Sequence, residues 1–184
     1  HSLHLADSQP NCRCNAWRMQ LTAEQEATIA YSALSEPGDA LAYLIFQQNG
    51  PAAIEQFKSG KAKTIWPEQI HELAPEYVAS LPLLFERFSL RVPKTHVPTL
   101  VERAIRWNAQ PVFPDQLPRL WNQFADLEMH RPYLLWVAGS TRVFECDANA
   151  IVGTRNPTLR GINNARKLVK QLGVGVISGG ATGI

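Results

Sequence analysis

The stretch that decides the fold runs Ala150-Ile151-Val152-Gly153-Thr154-Arg155-Asn156-Pro157-Thr158-Leu159 and continues to Gly173-Val174-Gly175-Val176-Ile177-Ser178-Gly179-Gly180. Ala150-Ile151-Val152 is a short apolar run of the kind that forms a buried strand. Gly153 to Pro157 is a turn. From Leu159 to Leu172 the apolar residues Ile162, Ala165, Leu168, Val169 and Leu172 recur at helical spacing. Gly173 ends that helix, and Val174 to Ser178 is a second apolar run, again expected to be a buried strand. Strand, helix and strand in about thirty residues make a βαβ unit with parallel strands and a right-handed crossover.

Both strands run into loops that suit an anion. Ligands of open α/β sheets bind beyond the carboxyl ends of the strands. Here those ends are Gly153-Thr154-Arg155 and Ser178-Gly179-Gly180-Ala181-Thr182-Gly183. Glycine lets a backbone approach a ligand closely, and a helix N-terminus favours phosphate. Thr154, Ser178 and Thr182 can donate hydroxyl hydrogen bonds, and Arg155 supplies a planar fork that matches phosphate oxygens. Gly153, Gly179, Gly180 and Gly183 complete the candidate phosphate site, with Arg160 and Lys167 as auxiliary basic contacts.

Charge agrees with that reading. From Ala148 onward there is no acidic residue, while Arg155, Arg160, Arg166, Lys167 and Lys170 are all basic. The preceding 147 residues hold 13 basic against 16 acidic side chains. A basic segment attached to an acidic one points to a polyanionic partner.

Two familiar nucleotide loops do not fit. The dinucleotide fingerprint needs Gly-x-Gly-x-x-Gly after the first strand, and the phosphate-cradling P-loop needs Gly-Lys-Ser/Thr; neither occurs here. No base and nucleophile pair stands out. His71, His96 and His130 read as surface or core residues, and Asp126 and Glu128 are two apart, which does not bring side chains together on a helix. Neither a metal site nor a cofactor is expected.

Upstream the pattern is helical. Residues 1 to 20 are polar and irregular and read as a tail. Thr22-Ala23-Glu24-Gln25 fits a capping box opening a helix to about Leu34. Glu36-Pro37-Gly38-Asp39 breaks it, Asp39 caps the next helix (Ala40 to Gln48), and Pro51 opens a third that Gly60 closes. Trp66-Pro67 and Leu81-Pro82 read as further turns between short helices. A break over Arg91 to Pro98 precedes a helix from Thr99 to Asn108, with Leu100, Ala104 and Trp107 expected inward. Pro111 to Pro114 reads as a short strand, Leu117 to Leu127 as a helical stretch, and Tyr133 to Ala138 as a buried strand.

Composition bounds the rest. With 184 residues, 45% hydrophobic and 18% charged, the chain has ordinary globular composition, enough for one domain of average size and a small one. No apolar run approaches the roughly 18 residues of a membrane span. The first residues do not read as a signal peptide. Cys12, Cys14 and Cys146 read as free thiols in a reducing compartment, so a cytoplasmic location is expected. Because two parallel strands leave faces and edges open, the sequence reads as cut inside its second domain, with at least the helix introduced by Thr182-Gly183 to follow.

The residues Ala150-Ile151-Val152-Gly153-Thr154-Arg155-Asn156-Pro157-Thr158-Leu159-Arg160-Gly161 resemble the DprA (Smf) family of DNA-processing proteins. So do Val176-Ile177-Ser178-Gly179-Gly180-Ala181-Thr182-Gly183-Ile184. Phe113 to Pro118 and Pro132 to Gly139 are similar to the lead-in of the same domain, and Glu36-Pro37-Gly38-Asp39-Ala40 resembles actinobacterial members. The resemblance extends over residues 22 to 184. It implies an α/β protein in which a small all-α, SAM-like domain (21 to 95) precedes the first part (96 to 184) of an extended Rossmann-like domain with a parallel sheet. It further implies a non-enzymatic protein of DNA uptake and transformation that binds and protects single-stranded DNA, loads RecA and forms a homodimer when complete. Carried over by position, Arg155 contacts a DNA phosphate, and Gly153, Thr154, Ser178, Gly179, Gly180 and Thr182 line the pocket.

One departure concerns the helical region. A DNA-binding helical hairpin would offer Gly-x-Gly, whereas Glu36-Pro37-Gly38-Asp39 has one glycine between two acids, so packing or protein interaction is expected there instead. The runner-up function is a Rossmann-like enzyme acting on a nucleotide, similar to phosphoribohydrolases, whose Pro-Gly-Gly-x-Gly-Thr loop is not found here. A third is a module for protein contacts, suggested by the acidic first half.

Overall fold

The computed structural model describes residues 20–180. The fold is mixed α/β, with eight α-helices and two small sheets among the described residues. The expected tail, Cys12, Cys14, Thr182 and Gly183 lie outside those residues.

The first part is helical. Helix α1 (Ala23–Ser32) opens with the expected capping box: Thr22 Oγ1 accepts from Gln25 N at 3.2 Å and Gln25 Oε1 accepts from Thr22 N at 3.0 Å. Helix α2 (Ala40–Asn49) is capped by Asp39, which accepts from Ala42 N at 3.0 Å. Helix α3 (Ala52–Lys58) follows Pro51, and α4 spans Ala62–Leu73. The reading of Trp66-Pro67 as a turn is corrected, because Pro67 lies inside α4. The apolar face explains why the helix persists. Trp66 and Ile70, four apart, are both fully buried, and the carbonyl that loses its amide partner belongs to the exposed Lys63. A 3-10 stretch (Pro75–Ser80) leads into α5 (Leu81–Arg91).

These helices enclose the main core. Tyr31, Leu34, Ile45, Trp66, Ile70, Leu84 and Phe88 are inaccessible to solvent or nearly so. Aromatic rings organise it: Tyr31 meets Phe46, Phe88 and Tyr133 with centroids 5.0, 5.8 and 5.4 Å away. Tyr31 Oη donates to Ala42 O at 2.8 Å, satisfying the one polar atom that this ring buries.

Burial raises the phenol of Tyr31 well above its ordinary value, and burial likewise raises that of Tyr133, with the Asp39 carboxylate pushing both the same way. The folded protein therefore holds these protons more tightly than the unfolded chain. The stabilisation is complete below the ordinary tyrosine pKa near 10 and declines as pH rises above it. We expect the thermal midpoint to fall steeply above about pH 10, with Tyr133→Phe losing less over that range. Thermal unfolding followed by circular dichroism between pH 8 and 12 checks this, and a flat profile would contradict it.

Helix α6 (Val97–Arg106) sets its inner side, Val97, Leu100 and Val101, against a second cluster of Ile29, Phe113 and Leu134. The expectation for Trp107 is corrected. The helix ends at Arg106, and Trp107, its C-cap, is 77% exposed. Ala104 remains half-buried. Hydrophobic contacts thus cross position 96, and Tyr133 packs among the rings of the helical core.

Strand β1 (Ala109–Val112) pairs antiparallel with β2 (Leu135–Ala138), Ala109 opposite Ala138 and Val112 opposite Leu135. Between them lie α7 (Pro118–Gln123) and a 3-10 stretch from Phe124 to His130, where one continuous helical segment to Leu127 was expected. Glu128 breaks any regular helix there with φ +47°. Val112, Val137, Leu117 and Leu120 form a small core beneath the hairpin. The strand expected to be buried from Tyr133 to Ala138 is buried only at Leu134 and Val137; Trp136 faces outward.

The decisive unit has the expected order of strand, helix and parallel strand. Strand β3 (Ala148–Ala150) pairs parallel with β4 (Gly175–Ile177), joined by α8 (Leu159–Leu172). Gly173 ends α8 in the left-handed conformation (φ +63°). Gly175 is needed for close approach: a Cβ there would lie 3.2 Å from Asp147 O, whose carbonyl accepts from Gly175 N. The first strand lies two residues earlier than the expected Ala150-Ile151-Val152, so Ile151 and Val152 fall beyond its end and Val152 is 84% exposed. The strands are also not buried as expected: Ile177 is 57% exposed, because α8 lies toward one face of the pair and no layer covers the other among the described residues.

Candidate nucleic-acid interface

Parallel pairing fixes where the two loops emerge. The ladder ends with Ile151 N donating to Ile177 O at 2.8 Å. Both chains then leave the sheet at the same edge, one into Gly153-Thr154-Arg155 and the other into Ser178-Gly179-Gly180. All six residues are exposed.

The loops are shaped by their own hydroxyls. Thr154 Oγ1 accepts from Asn156 N at 3.1 Å, and Ser178 Oγ accepts from Gly180 N at 3.4 Å. Gly180 sits at φ +66°, a conformation that L side chains rarely adopt. These bonds use hydroxyl lone pairs and leave each O–H free to donate elsewhere. Thr158 caps α8, accepting from Gly161 N at 3.1 Å. The remaining first-turn N–H groups of a helix have no intrahelical acceptor, and no acidic side chain lies in that first turn. Backbone N–H groups, loop hydroxyls and Arg155 thus lie in one exposed segment, with no carboxylate on α8.

The auxiliary basic residues divide in two. Arg160 and Lys167 are seven apart on α8, so they share one exposed stripe two turns long. Arg166 and Lys170 lie elsewhere. With Ile151, Ile162, Ala165, Val169, Val176 and Ser178 they border an open groove of about 580 Å³ between α8 and the strands. Neither was among the site residues expected from sequence. Their spacing, four apart and flanked by groove-lining Ala165 and Val169, was the available signal.

The three histidines noted in the sequence are exposed. His96 Nδ1 lies 2.9 Å from Thr99 Oγ1, His130 Nδ1 lies 2.7 Å from Gly38 O, and His71 is exposed. Among the described residues no group of three or more His, Cys, Asp or Glu side chains is placed to hold a metal ion, and no helix is long and apolar enough to cross a membrane.

The family model described as DNA recombination-mediator protein A matches residues 106–184. The resemblance read from the sequence holds over that segment, which contains β1 to β4 and both loops; residues 22 to 105 fall outside the match. No curated protein and no solved structure matches the chain.

Proposed function

We propose that this chain, whose residues 106–184 carry the recombination-mediator match, acts in DNA recombination or processing by binding single-stranded DNA, without catalysis of its own. One observation carries the reading. Two glycine-containing loops leave the same end of a parallel strand pair, in a stretch with five basic residues and no acid, and the first of them carries Arg155. In this reading residues 21 to 95 form a SAM-like helical domain, and 96 to 184 belong to a Rossmann-like domain. Gly153, Thr154, Arg155, Ser178, Gly179, Gly180, Thr182 and Gly183 hold a backbone phosphate, and Arg160 and Lys167 extend the basic track. The finer role is protection of incoming DNA in the cytoplasm and delivery of the strand to RecA, by a homodimer of the complete protein.

Such binding is electrostatic and tolerant of sequence, so salt weakens it. Arg155→Ala in the full-length chain is expected to weaken oligo-dT binding several-fold. It should also flatten the dependence of log affinity on log salt by about 0.7, one phosphate's worth. Fluorescence anisotropy across a salt series measures both quantities. Unchanged affinity and slope would remove Arg155 from the site, and hydrolysis of a nucleotide by the pure protein would favour an enzyme.

A further inference from the structure

The geometry points to a second contact for a single strand of nucleic acid, at the carboxyl end of α6, where Trp107 is a base-stacking platform flanked by Arg103 and Arg106. This rests on the reading that the chain binds single-stranded DNA. Large indoles are normally well buried, yet Trp107 is 77% exposed. Arg103, Arg106 and Trp107 stand at i, i+3 and i+4, so they form one stripe on the helix. Both arginines are exposed, and among the described residues neither makes an ion pair.

The stripe is held rigidly. Earlier residues of α6, Val97, Leu100 and Val101, pack on Ile29, Phe113 and Leu134. At its end Trp107 N donates to Ala104 O and Asn108 N to Ile105 O, both at 2.9 Å. Asn108 then turns the chain with φ +51° into β1. Opposite Ala109 in the ladder is Ala138, after which Gly139-Ser140-Thr141-Arg142 leads away, so the exposed Arg142 leaves from the same end of the hairpin.

A helix C-terminus favours basic residues in its last turn, which explains the arginines alone. It does not explain an indole projecting beside them. A flat apolar ring beside two arginines matches an unpaired base with its neighbouring phosphates. Bases stack on aromatic side chains whatever their identity, and arginines neutralise the backbone. Duplex DNA keeps its base faces stacked inside, so the partner is single-stranded.

The test uses the full-length chain and fluorescein-labelled oligo-dT. Trp107→Ala is expected to weaken binding about tenfold and Trp107→Phe by no more than about threefold. Replacing Arg103 and Arg106 together by Gln should flatten the salt slope by about 1.4. Oligo-dT should quench indole emission in the wild type more than in Trp107→Phe. Thermal unfolding reports whether each variant folds; should Trp107→Ala not fold, the quenching difference and the arginine pair decide. Wild-type affinity in the Trp107 and arginine variants, with Arg155→Ala weakened, would overturn this second contact and leave the phosphate loops standing. Absence of binding by the wild type would overturn both. A change in mass by light scattering for Trp107→Ala, with DNA affinity intact, would assign the surface to a second copy of the chain and overturn the proposal.

Discussion

Trp66→Ala is expected to lower the free energy of unfolding by about 3–5 kcal/mol, a large share of what a domain of this size possesses. The indole is fully buried. It stacks on Phe85 at 5.6 Å and on Phe57 at 5.9 Å and meets Phe88 edge-on at 6.1 Å. Truncation removes those contacts and leaves a cavity that three rigid rings cannot readily fill. It also takes a donor from a polar network. Trp66 Nε1 donates to Gln56 Oε1 at 2.7 Å, Gln56 Nε2 donates to Asn49 Oδ1, and Asn49 and Gln69 exchange two further bonds. Trp66→Phe keeps most of the ring area and loses the donor, so it should cost about 1–2 kcal/mol. Urea unfolding followed by circular dichroism compares the two. Equal costs would mean that the network, and not ring packing, dominates the site.

The same residue shows where sequence reading succeeds and fails. Signals that act within one turn were legible: the Thr22 and Gln25 capping box, Asp39 as a cap, and the Leu159–Leu172 helix with Gly173 at its end. Each depends on atoms three or four residues apart. Trp66-Pro67 was misread because the competing term, burial of Trp66 among residues from α3 and α5, is not local. Trp107 is expected inward because helical spacing alone continues α6 two residues too far, to Asn108. The site followed the same division. The chemistry of the two loops could be read from their residues, and their common edge followed from the parallel pairing. The groove-lining Arg166 and Lys170 depend on how α8 lies across the strands, which periodicity does not specify.

Asp39→Ala is the second substitution expected to be costly, by about 2–4 kcal/mol, and it separates structure from function. Two roles meet in this carboxylate. One oxygen caps α2 through Ala42 N, worth about 1 kcal/mol. The other accepts from Arg87 of α5 at 2.6 Å. Asp39 is 9% exposed and Arg87 about a third exposed, so truncation strands a half-buried guanidinium whose buried Nε already lacks a partner. One turn of α5 further on, Arg91 pairs with Glu36 and donates to Leu34 O at 3.1 Å. The two acids of Glu36-Pro37-Gly38-Asp39 are thus engaged in fastening the α1–α2 turn to α5, and His130 meets the same turn at Gly38 O. A turn occupied in this way acts as a structural clamp. Asp39→Asn should retain the cap, lose the charge and cost about half as much as Asp39→Ala. Both variants, at temperatures where they remain folded, should bind oligo-dT as the wild type does. Chemical unfolding measures the first expectation and anisotropy the second. A loss of DNA affinity in folded Asp39→Asn would bring the α1–α2 turn into the interface and restore a DNA-binding role to the helical region.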